Sequence, residues 1–570
     1  MFSFYYMISK PFYLNHLLSL VVLVSAAGCS ALPQQAPSVH PQQTAEDRAT
    51  ADFDLPETDA PLPKAIDVSR QPKDVELAQN IDRIIDESEF RSAQWGVFVA
   101  SLKDGRVLTA RDAQKLFNPA STQKVMTTAV ALDRLGADFR WRTSAVAETE
   151  IDANGNLNGD LILYGRGAPD FDEKRLAELV AQLKQKGLRS VSGGVIGDAS
   201  FFRADALGDG WMWNEAQWYY GAEPSALSYS DNTVLVEVTP NEKIGEPASV
   251  KITPEAPFVK ITNTAVTVEK ESTRDNIGVH RGLETNDLQI WGEMKRGKTF
   301  SARTTMHAPQ LWAANELKKS LEKNGVTVAG NAAGIDWKTA KFEIGNLKEL
   351  AAVESDTLGE IARRTNKQSI NLNSELMLRT LGHQARENAE SQTNKKTVQG
   401  DDFLGASVIK NWLVGKGVEI GDTKIHDGSG LSRLNLVTPE TMGRLLFFAA
   451  KMKSADVFKD SLPVAGTDGT LGGRLSKFKG DIIAKTGTIS YVHSLAGYAR
   501  TGAGETKEGE KTANSQASNQ ANKQENKREN KDEEILAFVI FCNNQTRRAN
   551  ANATVDKIAA AIADFGAPPK

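Results

Sequence analysis

The sequence predicts an α/β (α+β) fold in which one mixed domain is split by a β-rich insertion. Helical periodicity begins at Val75 and is followed by an apolar strand, Trp95 to Ser101. Short alternating strands, punctuated by Gly, Pro and Asn, then occupy residues 146–345. Helical patterns return beyond them. We therefore predict one domain built from 76–145 and 346–570, with β-rich accessory domains inserted between its two parts.

Composition limits the kinds of partner. The 570 residues carry a net charge of −4, and 40% of them are hydrophobic and 25% charged, which is typical of globular proteins. Because there is no excess of basic residues, the composition argues against a nucleic-acid-binding protein. Beyond the N-terminus, no apolar run in the sequence is long enough to cross a membrane.

The N-terminus predicts export. Residues from Leu14 to Ala27 are almost entirely apolar, are too few for a comfortable membrane span, and lead into Gly28 and Cys29. This pattern resembles a bacterial lipoprotein signal, which implies removal of residues 1–28 and a lipid anchor at Cys29 on the periplasmic face of a membrane. A plain signal peptide cut near Ala27 is the alternative, and it would leave a soluble periplasmic protein.

Two further segments have biased composition. Residues 29–75 are rich in Pro, Gln, Ala and Asp, so we predict a disordered tether. Residues 501–534 are a low-complexity stretch of Lys, Glu, Asn and Gln between two apparent strands, which predicts a disordered hairpin loop. Cys542, in an apolar run, is interpreted as an inert buried residue. With Cys29 lipidated, no disulfide framework, cysteine nucleophile or zinc site is expected.

The first chemical motif is the stretch Asn118-Pro-Ala-Ser-Thr-Gln-Lys124. With Asn118 as N-cap and Pro119 at the first helical position, Ser121 lies in the first turn and Lys124 one turn later on the same face. A desolvated amine beside a serine hydroxyl can act as its base. Taken alone the S-x-x-K pattern is weak, because it recurs in this chain at Ser320-Lys323, Ser407-Lys410 and Ser476-Lys479.

A second motif, Lys485-Thr486-Gly487-Thr488, follows an apolar strand. A lysine, a hydroxyl and a glycine at a strand edge can hold a carboxylate and leave backbone groups free to pair with an extended peptide. A third motif, S-x-N, has two candidates. Ser230-Asp231-Asn232 runs directly into a strand, whereas Ser369-Ile370-Asn371 lies between two helical segments, where a loop can project side chains into a cleft. We therefore favour Ser369.

The order S-x-x-K, S-x-N, K-T-G resembles the serine penicillin-recognising enzymes. The long separation of Ser121 from Ser369 exceeds that of a simple class A β-lactamase. It resembles the class C low-molecular-mass penicillin-binding proteins, which are D-alanyl-D-alanine carboxypeptidases and endopeptidases with domains inserted between the first two motifs. The resemblance covers roughly residues 75 to 565. It implies a penicillin-binding/β-lactamase-like transpeptidase fold split in sequence, in which 76–145 and 346–570 form the catalytic domain.

The resemblance also implies roles for individual residues. Ser121 would attack the penultimate D-alanine carbonyl of a peptidoglycan stem peptide with Lys124 as general base, and Ser369 would relay a proton to the leaving amine. The backbone amides of Ser121 and Thr488 would form the oxyanion hole. β-Lactams would acylate Ser121, and no metal or cofactor is implied. Contacts to the substrate are expected from Asn371, Lys485, Thr486, Gly487 and Thr488.

Two alternatives stay open at this point. One is a β-lactamase, which would turn over a chromogenic cephalosporin rapidly instead of trapping it. The other is a non-catalytic lipoprotein scaffold that binds wall peptides. The sequence contains neither G-x-S-x-G nor H-E-x-x-H, which argues against other serine hydrolases and zinc proteases. It does not separate carboxypeptidase from DD-endopeptidase activity.

Overall fold

The computed structural model describes residues 50–51, 53–56, 58–272, 276–341, 344–502, 534–546 and 550–566. The predicted signal peptide, Cys29 and most of the predicted loop at 501–534 lie outside these ranges. The helices are, in chain order, α1 (Pro72–Asp86), α2 (Gln123–Leu135), α3 (Glu173–Gln185), α4 (Pro309–Lys323), α5 (Leu358–Gln368), α6 (Asn371–Thr393), α7 (Asp401–Gly415), α8 (Pro439–Ala449), α9 (Ala455–Ser461) and α10 (Asn552–Ala563).

Most strands are short, and most belong to the predicted insertion. In chain order they are β1 (Gln94–Ser101), β2 (Val107–Thr109), β3 (Arg142–Ala147), β4 (Asn156–Leu157), β5 (Leu161–Tyr164), β6 (Ser190–Val191), β7 (Val195–Asp198), β8 (Thr233–Thr239), β9 (Ser249–Thr253), β10 (Ile261–Asn263), β11 (Val266–Val268), β12 (Gly278–Arg281), β13 (Leu288–Trp291), β14 (Glu293–Lys295), β15 (Phe300–Thr305), β16 (Thr327–Val328), β17 (Ala332–Ile335), β18 (Lys348–Glu354), β19 (Ile482–Ile489), β20 (Val492–Arg500) and β21 (Ile535–Asn543).

One antiparallel sheet joins the two ends of the described chain. Its order is β19-β20-β21-β1-β2, and β21 pairs with β1 from Gln94 opposite Asn543 to Ser101 opposite Leu536. The apolar run in β21 is buried on both faces. Phe538 and Ile540 pack with α1 and α10, whereas the alternate residues face the larger core that includes α8. Helices on both sides explain why this strand is continuously hydrophobic.

The region between the two parts of this sheet is mainly β-structure. A five-stranded sheet of order β17-β7-β5-β3-β18 is accompanied by smaller sheets of two and three strands. Strands β3 and β18 pair antiparallel, with Arg142 opposite Glu354, so the chain leaves and returns side by side. This pair begins and ends a few residues outside the predicted 146–345, because long-range pairing leaves no local signal in sequence. The region also contains helices α3 and α4, which the β-rich prediction omitted.

The predicted tether, 29–75, is wrong at its C-terminal end. Phe53 is buried in the main core, Val68 forms a bridge to Val107, and α1 already begins at Pro72. This stretch is mostly polar, but its few apolar residues, such as Phe53, pack against the rest of the described structure. In the described part of the chain, we find no helix with the length and apolar character needed to cross a bilayer.

The central strand generates a prediction about stability. The Ile540→Ala variant removes a fully buried side chain from β21, and we expect the free energy of unfolding to fall by about 2–5 kcal/mol. The same change at Ile261, which is 38% exposed on β10, should cost much less. Urea denaturation of both variants measures the difference. Equal losses would contradict the packing described for β21.

Candidate active site

Ser121 lies in a 3-10 turn, Ala120–Thr122, immediately before α2. The predicted helix start at Asn118 and Pro119 is therefore wrong by several residues. Instead, the side chain of Asn118 accepts a hydrogen bond from the Ala120 amide at 3.0 Å, and Ala120 has a positive φ of 46°. This tight turn holds Ser121 just before the helix N-terminus, where the helix dipole favours negative charge on its oxygen.

Lys124 is fully buried beside this serine. Its Nζ donates to Ser121 Oγ at 3.0 Å, to Asn371 Oδ1 at 2.6 Å and to the Ser429 carbonyl at 2.7 Å. Burial lowers the Lys124 pKa to about 7, although the negative charges of Asp427 and Glu375 act in the opposite direction. Near neutral pH a substantial fraction of this amine is therefore unprotonated and able to accept a proton.

The structure brings Ser369 and Asn371 to the same place and leaves the alternative S-x-N elsewhere. Ser369 lies between α5 and α6 with a positive φ of 61°, and Asn371 is the first residue of α6. The Asn371 amide donates to the Tyr220 carbonyl at 2.8 Å, which fixes its oxygen toward Lys124. By contrast, Asn232 is buried at the start of β8 and donates to the Glu223 carbonyl.

Lys485 projects from β19 and is also fully buried. Its Nζ donates to Ser369 Oγ at 2.9 Å and to the Thr486 carbonyl at 2.7 Å. Burial, and then the positive charge of Lys124, hold the Lys485 pKa well below its ordinary value. An incoming carboxylate would raise that pKa again, because an opposite charge favours the ammonium form.

Gly487 explains how β19 can pass directly over the serine turn. A Cβ atom at this position would lie 2.1 Å from Ser494 Oγ and 2.9 Å from both the Pro119 carbonyl oxygen and the Ser121 amide nitrogen. Only glycine permits this approach. Strand β19 is the edge strand of its sheet and pairs with β20. The outer edge of its first half bonds residues 463–465, since the Ala484 amide donates to the Pro463 carbonyl, whereas Thr488 near its end is exposed. This end of the strand is open to an extended peptide.

The sequence analysis assigned no role to two buried carboxylates near Lys124, Glu375 and Asp427. Glu375, one turn after Asn371 on α6, accepts hydrogen bonds from the Gly428 and Ser429 amides. Burial, and then the charge of Asp427, raise the Glu375 pKa to about 8. Glu375 could have been predicted, because it lies four residues after Asn371 on the same helix face. The Ser429 and Tyr220 contacts could not, because they are made by main-chain carbonyls, which every residue has.

Asp427 shapes the loop that follows these amides. Its carboxylate accepts hydrogen bonds from the amides of Gly430 at 2.8 Å and Ser432 at 2.6 Å. Asp468 similarly accepts from the Val464 amide at 2.8 Å. In the described ranges, no group of three or more His, Cys, Asp or Glu side chains is placed to hold a metal ion.

Comparison with known proteins identifies the family. Residues 77–560 match the D-Ala-D-Ala carboxypeptidase 3 (S13) family. The chain belongs to this family. A D-alanyl-D-alanine carboxypeptidase from an Actinomadura species is 32% identical over 448 residues, covering 75% of this chain and 79% of the relative. The D-alanyl-D-alanine carboxypeptidase DacB of Haemophilus influenzae is 27% identical over 417 residues, covering 72% and 83%.

The fold of this S13 protein also matches a solved structure. The crystal structure of penicillin-binding protein 4 from Haemophilus influenzae superposes with a TM-score of 0.68 at 24% identity, covering 87% of this chain and all of that one. The predicted penicillin-binding fold, the class C penicillin-binding family and the enzyme class, a serine-type D-Ala-D-Ala carboxypeptidase, are thereby confirmed.

The close approach at Gly487 yields a prediction. In the Gly487→Ala variant the new methyl group must displace β19 from the Ser121 turn, and a shift of about 1 Å typically costs about 100-fold in rate. We expect release of D-alanine from a D-Ala-D-Ala peptide to fall by that order. Gly473→Ala is the control, because its Cβ would meet no atom within 4 Å. Wild-type activity in Gly487→Ala would show that activity does not depend on the close packing of β19 against the Ser121 turn.

Proposed function

We propose that Ser121 is the nucleophile of this carboxypeptidase and that Lys124 is its general base. The observation that carries the proposal is the 3.0 Å hydrogen bond from Lys124 Nζ to Ser121 Oγ, made by an amine whose pKa is about 7. When Lys124 is neutral it takes the hydroxyl proton as Ser121 Oγ attacks the carbonyl of the penultimate D-alanine. The leaving D-alanine departs, and water then hydrolyses the acyl-enzyme.

Ser369 is proposed to carry a proton to the leaving amine. Its hydroxyl accepts from Lys485 at 2.9 Å, so its own proton is free to be donated toward the cleft. Asn371 is proposed to hold the substrate amide, since its side chain is oriented by Tyr220 and Lys124. These contacts support separate proton-transfer and positioning roles for Ser369 and Asn371.

Lys485, Thr486, Gly487 and Thr488 are proposed to bind the C-terminal D-alanine. The buried ammonium of Lys485 would pair with the terminal carboxylate, and the Thr486 hydroxyl, which donates to Thr470 Oγ1 at 2.7 Å, is held at the same edge. The backbone amides of Ser121 and Thr488 are proposed as the oxyanion hole. The proximity of β19 to the Ser121 amide at Gly487 supports this arrangement.

The proposed substrates are peptidoglycan stem peptides, with cross-link endopeptidase activity at the same site as the second activity. The relatives carry the name D-alanyl-D-alanine carboxypeptidase. β-Lactams are proposed as covalent inhibitors of Ser121, because the solved Haemophilus influenzae protein has also been crystallised with a β-lactam.

Export and membrane attachment through Cys29 are also proposed, on the apolar run that precedes it. In a bacterium fed labelled palmitate, we expect the wild-type chain to incorporate label and to fractionate with membranes. A Cys29→Ser variant should lose both properties, whereas Cys542→Ser, a change at a buried thiol, should keep them. Export of unlabelled wild-type protein in soluble form would favour the plain signal peptide.

Intact-mass spectrometry after incubation with penicillin tests the nucleophile. We expect one covalent adduct on the wild-type chain, mapped to Ser121 and absent from Ser121→Ala. Ser476→Ala is the matched control, since Ser476 begins another S-x-x-K sequence on the surface and its loss should leave the adduct intact. No adduct on folded wild-type protein would overturn the acyl-enzyme mechanism, and rapid release of hydrolysed antibiotic would indicate a β-lactamase.

The pH dependence of penicillin acylation tests the base. Because the neutral form of Lys124 is required and its pKa is about 7, the acylation rate should fall about tenfold per pH unit below that value. Above it the rate should level off as the amine becomes fully unprotonated. Stopped-flow labelling with a fluorescent penicillin gives the profile. A rate that continued to rise to about pH 10.5, the ordinary lysine pKa, would contradict the lowered pKa of Lys124.

A further inference from the structure

A cavity of about 580 Å³ lies away from the Ser121 group, between the start of β3, the chain after β5 and the middle of α6. Its walls include Arg140, Arg142, Arg166, Phe201 and Gln384, together with one carboxylate, Glu387, which is paired with Arg386 at 2.9 Å. Gln384 is 13 residues along α6 from Asn371, which at 1.5 Å per residue is a distance of about 20 Å. A volume of this size falls within the range of small-ligand sites.

Arg166 brings a positive charge to this cavity without a direct ion pair. Its Nη1 donates to Ser144 Oγ at 2.8 Å and more weakly to the Arg142 carbonyl, and its guanidinium lies 4.7 Å from the centre of the Tyr164 ring. No carboxylate of the described ranges forms an ion pair with it. Glu349 pairs directly with Arg142, whose Nε donates to it at 3.1 Å, and it is linked to Arg166 only through the Ser144 hydroxyl, which donates to it at 2.7 Å.

Two other partly buried arginines have direct acidic partners, whereas the buried Arg281 donates to carbonyl and hydroxyl oxygens. Arg175 pairs with Asp170 at 2.8 Å, and Arg203 pairs with Glu390 at 2.7 Å. Burial lowers the pKa of Arg166, and the nearby charge of Glu349 offsets only part of this effect. A partly desolvated guanidinium with no direct ion pair can bind an external anion.

The remaining walls suit the rest of a small organic ligand. Arg140, at the cavity edge, donates one Nη1 bond to the Ser355 carbonyl at 2.6 Å and retains other donors. The ring of His383 stacks on Phe201 with centroids 3.6 Å apart. Because burial and then the charge of Arg386 lower the His383 pKa to about 4, this stack is neutral at physiological pH and offers a flat apolar surface.

We propose that this cavity binds the carboxylate of a short acidic peptide, with Arg166 and Arg140 as the anion-binding groups and the Phe201–His383 stack beneath the peptide. Paired guanidinium donors match the planar geometry of a carboxylate, and exposed amides such as that of Gln384 can pair with peptide groups. The site does not depend on the role of Ser121, because none of its residues belongs to the catalytic group.

Isothermal titration of the full-length exported chain with N-acetyl-L-alanyl-D-glutamate tests the proposal, beside glucose 6-phosphate as a phosphate probe. We expect saturable binding of the acidic dipeptide to wild-type protein, weakened at least tenfold in Arg166→Gln and reduced by added salt. Arg140→Gln, a change at an exposed side chain, should weaken it as well and provides a second variant if Arg166→Gln does not fold. Arg134→Gln, at the exposed end of α2, is the matched control and should bind normally.

Each outcome decides the proposal. Tight binding of the phosphate probe with none of the dipeptide would overturn the choice of a carboxylate ligand. Absence of binding by either probe, or binding that both arginine variants retain, would overturn the site itself. Penicillin acylation of Arg166→Gln should equal that of wild type, so a negative binding result is distinguishable from failure of the Ser121 mechanism.

Discussion

The arrangement of the catalytic centre depends on one buried amine. Lys124 Nζ is held by three acceptors from three parts of the chain, the serine turn before α2, the first residue of α6 and the Ser429 carbonyl. Burying a lysine is costly unless its protons are accepted or its charge is lost. In the ammonium form of Lys124 the three acceptors match its three protons, and a pKa of about 7 lets it lose one of them near neutral pH. The same burial that makes Lys124 reactive therefore fixes the relative positions of the three segments.

Two buried carboxylates near Lys124, Asp427 and Glu375, limit how far its pKa falls. Asp427 and Glu375 both favour the ammonium form of Lys124, but burial and then the charge of Asp427 raise the pKa of Glu375 itself, which weakens its negative charge. Glu375 accepts hydrogen bonds from the Gly428 and Ser429 amides in either protonation state. Glu375 thus holds the loop whose Ser429 carbonyl accepts from Lys124, while its raised pKa reduces its opposition to a neutral amine.

The sequence predicted which side chains meet at this site more fully than it predicted their surroundings. The three short motifs carry side chains whose types and order are visible in the sequence, and Ser369 could be preferred over Ser230 from local context alone. The structural roles of Ser429 and Tyr220 could not be predicted, because their main-chain carbonyls are the contacting groups and every residue has one. The helix start was misplaced because Asn118 uses its side chain within the turn and not as a helix cap.

Long-range strand pairing was the second feature that could not be predicted from the sequence. Lys124 and Asn371 are 247 residues apart, and their contact depends on a chain that departs along β3 and returns along β18. Local periodicity detects each strand but not its partner, so the predicted edges of the insertion missed this pair. Similarly, Phe53 is a single apolar residue in a polar stretch, and only its packing in the core distinguishes it from a residue in a tether.

The two buried lysines together suggest why the site is completed by its substrate. Lys485 is desolvated and lies close enough to Lys124 for the charge of one to disfavour the charge of the other. A carboxylate arriving at Lys485 would stabilise its ammonium form and leave Lys124 as the amine that more readily stays neutral. The order of events follows from the electrostatics. If Lys485 binds the terminal carboxylate as proposed, this contact would keep a proton on Lys485 and favour the neutral form of Lys124 that the proposed attack requires.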